Sequence, residues 1–527
     1  MKHFFVTIFL SLLLCFTGFS AVKASNLVKK IKAMNLTGVA ITEVEEVPAG
    51  NFTPQGGKKL TNLPAFLRVA FTSKPTPESN IRNEIWMPKD TWNGRFLGTG
   101  NGGGAGKINY GPLISGVIRG FATANTDMGT SPNADDAVNH PERWADFGYR
   151  STHEMTSGAK AILQVFYKKP ASKAYFIACS TGGQQALMEA QRFPDDYNGI
   201  IAGAPANNRT HLHTFFIWNL IANNQGQPNE IISQKKISLF SKLVIQCCVG
   251  KDGGAPGDGF LTDPRLCDFK FETLPQCSEG IKTDSCFTME DINALKKLYA
   301  GPTNPRTGNR IYTPLPLGGS KLELSAAHLY LFKWVFGKEF DYRKFDFDHD
   351  MAIVDSILGP LLNANNPDLS PMKSRGGKIL MYTGTDDQLV PAQDAINYYE
   401  RVIEAQGGLK QTQDFFRFFL IPGMGHCGGG SGLNFREGQS IDIVQDSDFD
   451  ILSAMVKWVE NGIAPDKFNV KTFNCCDSIN RIGFQRPIYP YPKFPDYVGG
   501  DPNLPSSYKS KSHQRGGVFA PAPVYLK

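Results

Sequence analysis

With 41 % hydrophobic and 20 % charged residues, the 527-residue chain can fill the core of one large α/β domain with an insertion, or of two domains, and is not a disordered chain. Its formal charge of +6 falls to +4 once Lys2 and Lys23 leave with a leader, too weak over a chain of this length to point to nucleic acid.

Lys2 and His3 precede an apolar run from Phe4 to Phe19, and Val22-Lys23-Ala24 fits a small-residue cleavage site. This predicts a signal peptide over residues 1–24 and a secreted or periplasmic protein. The run is short for a spanning helix and no second one appears, so no stable membrane span is expected. Leu14 is too large for lipoprotein processing at Cys15. Of ten cysteines, nine remain without Cys15. Export makes disulfides the default, and an odd number leaves at least one thiol free or paired between chains. The spacings lack the paired CxxC motifs of a zinc site.

Strands are predicted at 38–42, 66–71 and 81–88. Trp92 to Thr99 then runs into the glycine-rich loop Gly100-Asn101-Gly102-Gly103-Gly104. The loop lacks the Gly-Lys-Ser/Thr of a P-loop and the spacing of a dinucleotide fingerprint. It suits a wall of an oxyanion hole, through Gly102 and Gly103. A strand follows at 121–126 and a helix at 150–167. His153-Glu154 on that helix reads as structural, because position 157 is Ser and a zinc-protease helix needs His there.

Ala174 to Cys179 is an apolar strand, Ser180 sits at a sharp turn, and a helix is predicted from Gln185 to Arg192. The motif Ala178-Cys179-Ser180-Thr181-Gly182 is a nucleophile elbow with alanine at its first small position. The turn lifts the serine oxygen clear of the sheet, and the N–H of Thr181 faces a developing oxyanion. After a short strand at 200–206, strand–helix alternation stops until residue 371. The stretch 207–370 is rich in Gly, Pro and aromatics, holds five of the nine mature cysteines, and reads as an inserted lid. Alternation returns with a strand at 378–383, a helix at 392–406, a strand at 414–420 and a helix at 446–461. A Pro- and Tyr-rich tail from Arg486 is expected to wrap the surface.

Three strand ends now carry Ser180, Asp387 and His426, in the chain order of an α/β-hydrolase triad. Asp387 is preferred to Asp386 because it heads an Asp-x-x-Val-Pro segment. Cys179 precedes the serine and Cys427 follows the histidine. A hydrogen bond between Ser180 and His426 would bring these cysteines within disulfide reach.

The Cys-Ser, Asp and His-Cys motifs are similar to those of the tannase/feruloyl esterase family, which includes mono(hydroxyethyl) terephthalate hydrolase. The likeness extends through Trp92-Asn93-Gly94-Arg95-Phe96, Asp146-Phe147-Gly148-Tyr149-Arg150, Pro194 to Gly199 and Arg486-Pro487. The resemblance implies an α/β-hydrolase core over 25–206 and 371–527, with 207–370 as lid. It implies disulfides Cys179–Cys427, Cys248–Cys267 and Cys277–Cys286. It also implies a calcium ion in the lid, held by Asp252 and Asp258 with the carbonyls of Ala255 and Phe260. Val249 stands where the family usually has a further aspartate, and two extra residues separate Asp252 from Asp258. The pairing of Cys247, Cys475 and Cys476 stays open.

The function expected is a serine carboxylesterase acting on small esters of aromatic acids such as ferulate or gallate. Another aromatic diester, terephthalate half-esters included, is the alternative substrate. A binding protein on an inactive hydrolase scaffold is the alternative class.

Overall fold

Apolar runs bounded by Gly, Pro and Asn become the strands of one nine-stranded sheet. The computed structural model describes residues 26–54, 57–224, 230–322, 324–434, 445–473, 482–516 and 519–526. The expected leader, Cys475 and Cys476 lie outside the described residues. The strands are β1 (Val39–Val47), β2 (Phe66–Ser73), β3 (Ile81–Pro88), β4 (Arg95–Thr99), β5 (Ala122–Thr126), β6 (Lys173–Cys179), β7 (Gly199–Gly203), β8 (Lys378–Gly384) and β9 (Phe416–Ile421). Their order is β1-β2-β3-β5-β4-β6-β7-β8-β9. β1, β2, β3 and β5 pair antiparallel. From β5 through β9 every neighbour is parallel. The order reverses between β4 and β5, as in the α/β-hydrolase core. Ser180 lies at the carboxyl end of β6, where open α/β sheets carry their sites.

Helices cover both faces, which is why β5 and β7 are buried at every position. Before residue 207 come α1 (Tyr110–Ile118), α2 (Ser151–Tyr167) and α3 (Thr181–Arg192). Residues 207–370 supply α4 (Arg209–Asn223), α5 (Gln234–Cys248), α6 (Met289–Ala300) and α7 (His349–Leu362). After them come α8 (Ala392–Ala405) and α9 (Ile451–Asn461). Side chains alternate along a strand, so one face of β6 sends Phe176 and Ala178 into a core with α2, α3 and α8. The other face sends Tyr175 and Ile177 against Leu452, Met455 and Trp458 of α9. Most of the apolar residues of 207–370 form a further cluster, with Phe215, Phe240, Leu298 and Trp334 among its buried members.

Two elements differ from expectation. The final helix begins at Ile451, where Asp450 accepts the Ser453 N–H and caps it. The tail does not merely wrap the surface. Ile482–Ile488 pairs antiparallel with Phe468–Phe473, and Lys493–Tyr497 with Tyr508–Ser512. Arg486 is buried. Prolines at 487, 490, 492 and 495 mask a strand pattern in sequence, yet edge strands tolerate them. Among the described residues no helix is long and apolar enough to cross a membrane.

Candidate active site

Ser180 has φ +67° and ψ −121°, a strained conformation for a residue with a Cβ. Its N–H donates to the Gly203 carbonyl at 3.0 Å, and its carbonyl accepts from Ala206 and Gln184. The helix starts directly after it, at Thr181, earlier than the residue pattern alone indicates. Close packing explains the small residues around the turn. A Cβ on Gly182 would meet the Ala178 Cβ at 2.3 Å, and one on Gly183 would meet the Gly203 oxygen at 2.3 Å.

The Ser180 hydroxyl lies 2.9 Å from Nε2 of His426, positioned to donate to it. Nδ1–H on the far side of the ring donates to Asp387 Oδ2 at 2.8 Å. The other oxygen of Asp387 accepts the N–H groups of Leu389 at 3.0 Å and Val390 at 2.8 Å. The Asp-x-x-Val segment is thus an Asx turn, in which the backbone two and three residues on fixes the carboxylate. Asp387 is fully buried. Asp386 instead accepts a long bond from Gln388 Nε2, and burial, with a contribution from the charge of Asp387, pushes its carboxyl up to about 7. His426 is carried on a glycine-lined turn at the end of β9, against which Gly384 packs so closely that a Cβ there would lie 2.0 Å from the Met424 oxygen.

All three expected disulfides are present: Cys179–Cys427, Cys248–Cys267 and Cys277–Cys286. Cys247 is unbridged. Thr181, Gly102 and Gly103 border the same cavity as Ser180 and His426. The N–H of Gly182 is taken by the Asn101 carbonyl at 2.7 Å, whereas Thr181, in the first helical position, has no intrahelical acceptor. The cavity measures about 370 Å³. Segment 207–370 walls it with Leu212, His213, Phe216, His328 and Tyr330. Burial, with the nearby charge of Arg209, holds the His213 imidazole well below the usual histidine range, and His328 is lowered for the same reasons.

Sequence reasoning missed three polar residues here. Gln185 accepts the Asn101 N–H at 2.9 Å, tying α3 to the glycine-rich loop. Asn101 in turn donates its amide to the Thr126 carbonyl at 2.8 Å. Arg209, at the first turn of α4, reaches Thr181 Oγ1 and the Gly103 carbonyl. Their side chains act across separate segments, and no local motif marks them. His153, the motif read as structural, pairs with Asp196 at 2.6 Å.

The donors expected for calcium do not fit that ion as arranged. Asp258 gives both carboxylate oxygens to Arg486, each at 2.6 Å. Asp252 accepts the N–H groups of Gly254 and Thr262. The neighbouring Asp263 is paired with Arg265 and His513. Calcium takes 6–8 oxygens with several free carboxylates. Among the described residues no three His, Cys, Asp or Glu side chains converge as a metal site.

A family model described as tannase and feruloyl esterase matches residues 67–345 and 335–511. An esterase of Xanthomonas campestris pv. campestris, described as uncharacterized, is 33 % identical over 539 aligned positions, covering 93 % of this chain and 92 % of that protein. Feruloyl esterase B of Aspergillus niger is 32 % identical over 460 positions, covering 83 % and 85 %. The crystal structure of feruloyl esterase B from Aspergillus oryzae superposes with a TM-score of 0.84 at 28 % identity, covering 92 % of this chain and 99 % of that one.

Proposed function

Because the chain belongs to the tannase and feruloyl esterase family, whose esterase activity it shares, we propose that it is a serine carboxylesterase for esters of hydroxycinnamic or gallic acids. The observation that carries this reading is the unbroken hydrogen-bonded line from Ser180 through His426 to Asp387. The apolar lid wall at Leu212 and Phe216 suits an aromatic acyl group.

Ser180 Oγ attacks the ester carbonyl as its proton passes to His426 Nε2. The oxyanion takes hydrogen bonds from the N–H of Thr181 and from the 102–103 loop. Collapse breaks the bond to the alcohol, which leaves with the proton from His426. Water then attacks the acyl-enzyme, giving its proton to His426, and the acid departs as Ser180 is restored. Asp387 keeps the imidazole in the tautomer with its proton on Nδ1 and stabilises the imidazolium that forms. No step uses a metal. We further propose export through the 1–24 leader, for which the three disulfides argue, and a lid role for 207–370.

A second substrate reading rests on Arg209, which lines the cavity. A guanidinium there favours an ester with a free carboxylate, such as a terephthalate half-ester. The test is hydrolysis of methyl ferulate, methyl gallate and a terephthalate half-ester by the wild type and by Ser180→Ala. Turnover of an aromatic ester by the wild type, with loss in the variant, is expected. Retained turnover in Ser180→Ala would refute the nucleophile. Failure of a fluorophosphonate probe to label the wild type would favour an inactive binding protein.

A further inference from the structure

We infer that Arg209 is a positioning residue that clamps together the two walls of the oxyanion hole, so that the first helix of the lid completes the catalytic centre. The inference rests on the reading of Ser180 as nucleophile. Nη1 of Arg209 donates to Thr181 Oγ1 at 2.9 Å, and Nη2 donates to the Gly103 carbonyl at 3.2 Å. The Thr181 hydroxyl donates to that same carbonyl at 2.7 Å, closing a ring of three bonds. Nη2 also bonds the Tyr330 hydroxyl, which itself reaches the Gly103 oxygen at 3.4 Å. One guanidinium thereby fixes the residue after the nucleophile against the glycine-rich loop. Gly103 alone would not hold that geometry: its φ is +57°, and a Cβ on it would meet nothing within 4 Å.

The placement is costly for a purely structural residue. Arg209 is 3 % exposed, and among the described residues no carboxylate pairs with it. A guanidinium stays charged in a protein, and here it is buried against neutral dipoles and the face of the Phe147 ring, 5.3 Å away, with no counter-charge beside it. It also stands at the first position of a 15-residue helix, where the macrodipole opposes a cation. Its charge is left for whatever anion forms in the cavity, and during ester cleavage that anion is the tetrahedral oxyanion. A cation fixed in the cavity wall stabilises the transition state more than the neutral ground state.

The experiment compares Arg209→Gln, Arg209→Lys and Tyr330→Phe on a neutral ester, methyl ferulate, with an aryl trifluoromethyl ketone as the oxyanion-forming inhibitor. For Arg209→Gln, kcat should fall by about 100-fold with KM changed by no more than about 3-fold. Affinity for the ketone should fall in parallel. Arg209→Lys should recover about tenfold of the lost kcat, and Tyr330→Phe should lower kcat in the same direction by about 3- to 10-fold. If Arg209→Gln does not fold, the other two variants carry the comparison. Unchanged kcat and ketone affinity in Arg209→Lys and Tyr330→Phe, with Ser180→Ala inactive, would overturn the clamp and leave the nucleophile standing. A loss confined to KM, and only for carboxylate-bearing esters, would also overturn it and make Arg209 a substrate anchor. Activity surviving in Ser180→Ala would instead fell the underlying reading.

Discussion

Cys179 and Cys427 are joined across 248 positions of chain, and each is the immediate neighbour of a residue in the Ser180–His426 hydrogen bond. Cys427 has φ +57°, so the bridge anchors the histidine turn in a conformation that a residue with a Cβ rarely adopts. Replacing both cysteines by alanine should cost roughly 2–5 kcal/mol of stability, because a long loop is released in the unfolded chain. It should also lower kcat at temperatures where the variant stays folded. Calorimetry and steady-state kinetics on one preparation separate the two effects. A kcat equal to wild type below the transition would show that the bridge serves stability alone.

The Ser180–His426–Asp387 hydrogen-bonded line and the bridge beside it were legible in sequence because each residue follows a strand whose apolar run is unambiguous. Ser180, Asp387 and His426 follow β6, β8 and β9 in turn. Arg209 was not legible: its partners Thr181, Gly103 and Tyr330 come from three other segments, and nothing local marks an arginine between Asn208 and Thr210. The calcium expectation came from the family likeness, with the acidic, glycine-rich loop from Asp252 to Asp263 as its local candidate. Nothing in that loop reveals that Asp258 pairs with a tail arginine more than 200 residues on.

Steric closeness at the elbow distinguishes two glycines. Gly182→Ala would press a Cβ to 2.3 Å from the Ala178 Cβ, so the strand and helix must separate. This variant should lose about 1–3 kcal/mol of stability. Its kcat should fall at least about tenfold, as the Thr181 N–H moves. Gly102→Ala meets nothing within 4 Å and keeps its N–H, so it should stay folded with a melting temperature near wild type. Thermal scans and ester kinetics of both test the distinction. An unaffected Gly182→Ala would mean the elbow tolerates an opening that its packing forbids.

Arg486 and Asp258 form a bidentate pair whose side chains are 3 % and 6 % exposed. Removing one partner of a buried pair leaves an uncompensated charge, typically costing about 3–5 kcal/mol. Arg486→Gln should therefore lower the melting temperature clearly. A calcium chelator should leave the wild-type melting temperature unchanged, and added calcium should not raise it. Stabilisation of the wild type by millimolar calcium would restore the ion to this loop and displace the arginine as its counter-charge.

Asp387 and Asp386 are adjacent but face different surroundings, and two substitutions should separate them. Asp387→Asn keeps the shape but no longer holds the imidazole in the correct tautomer, so kcat should fall by about 10³- to 10⁴-fold. Asp386 makes no bond to His426, so Asp386→Asn should retain most activity. Its signature is in stability instead. Burial, aided by the charge of Asp387, raises the Asp386 carboxyl to about 7 in the folded protein, against about 3.9 in an unfolded chain. Below about pH 4 both states hold the proton, and the group has no net effect on folding. Between there and pH 7 the unfolded chain ionises while the folded protein keeps the proton, so the unfolded state binds fewer protons and stability falls as pH rises. Above that range the loss is complete. Asp386→Asn removes this titration, so the variant should match wild type near pH 4 and unfold at a higher temperature near pH 8. Thermal unfolding across that range, paired with kcat at each pH, measures both outcomes. A constant gap between the two proteins at every pH would mean that Asp386 is ionised throughout, despite its burial.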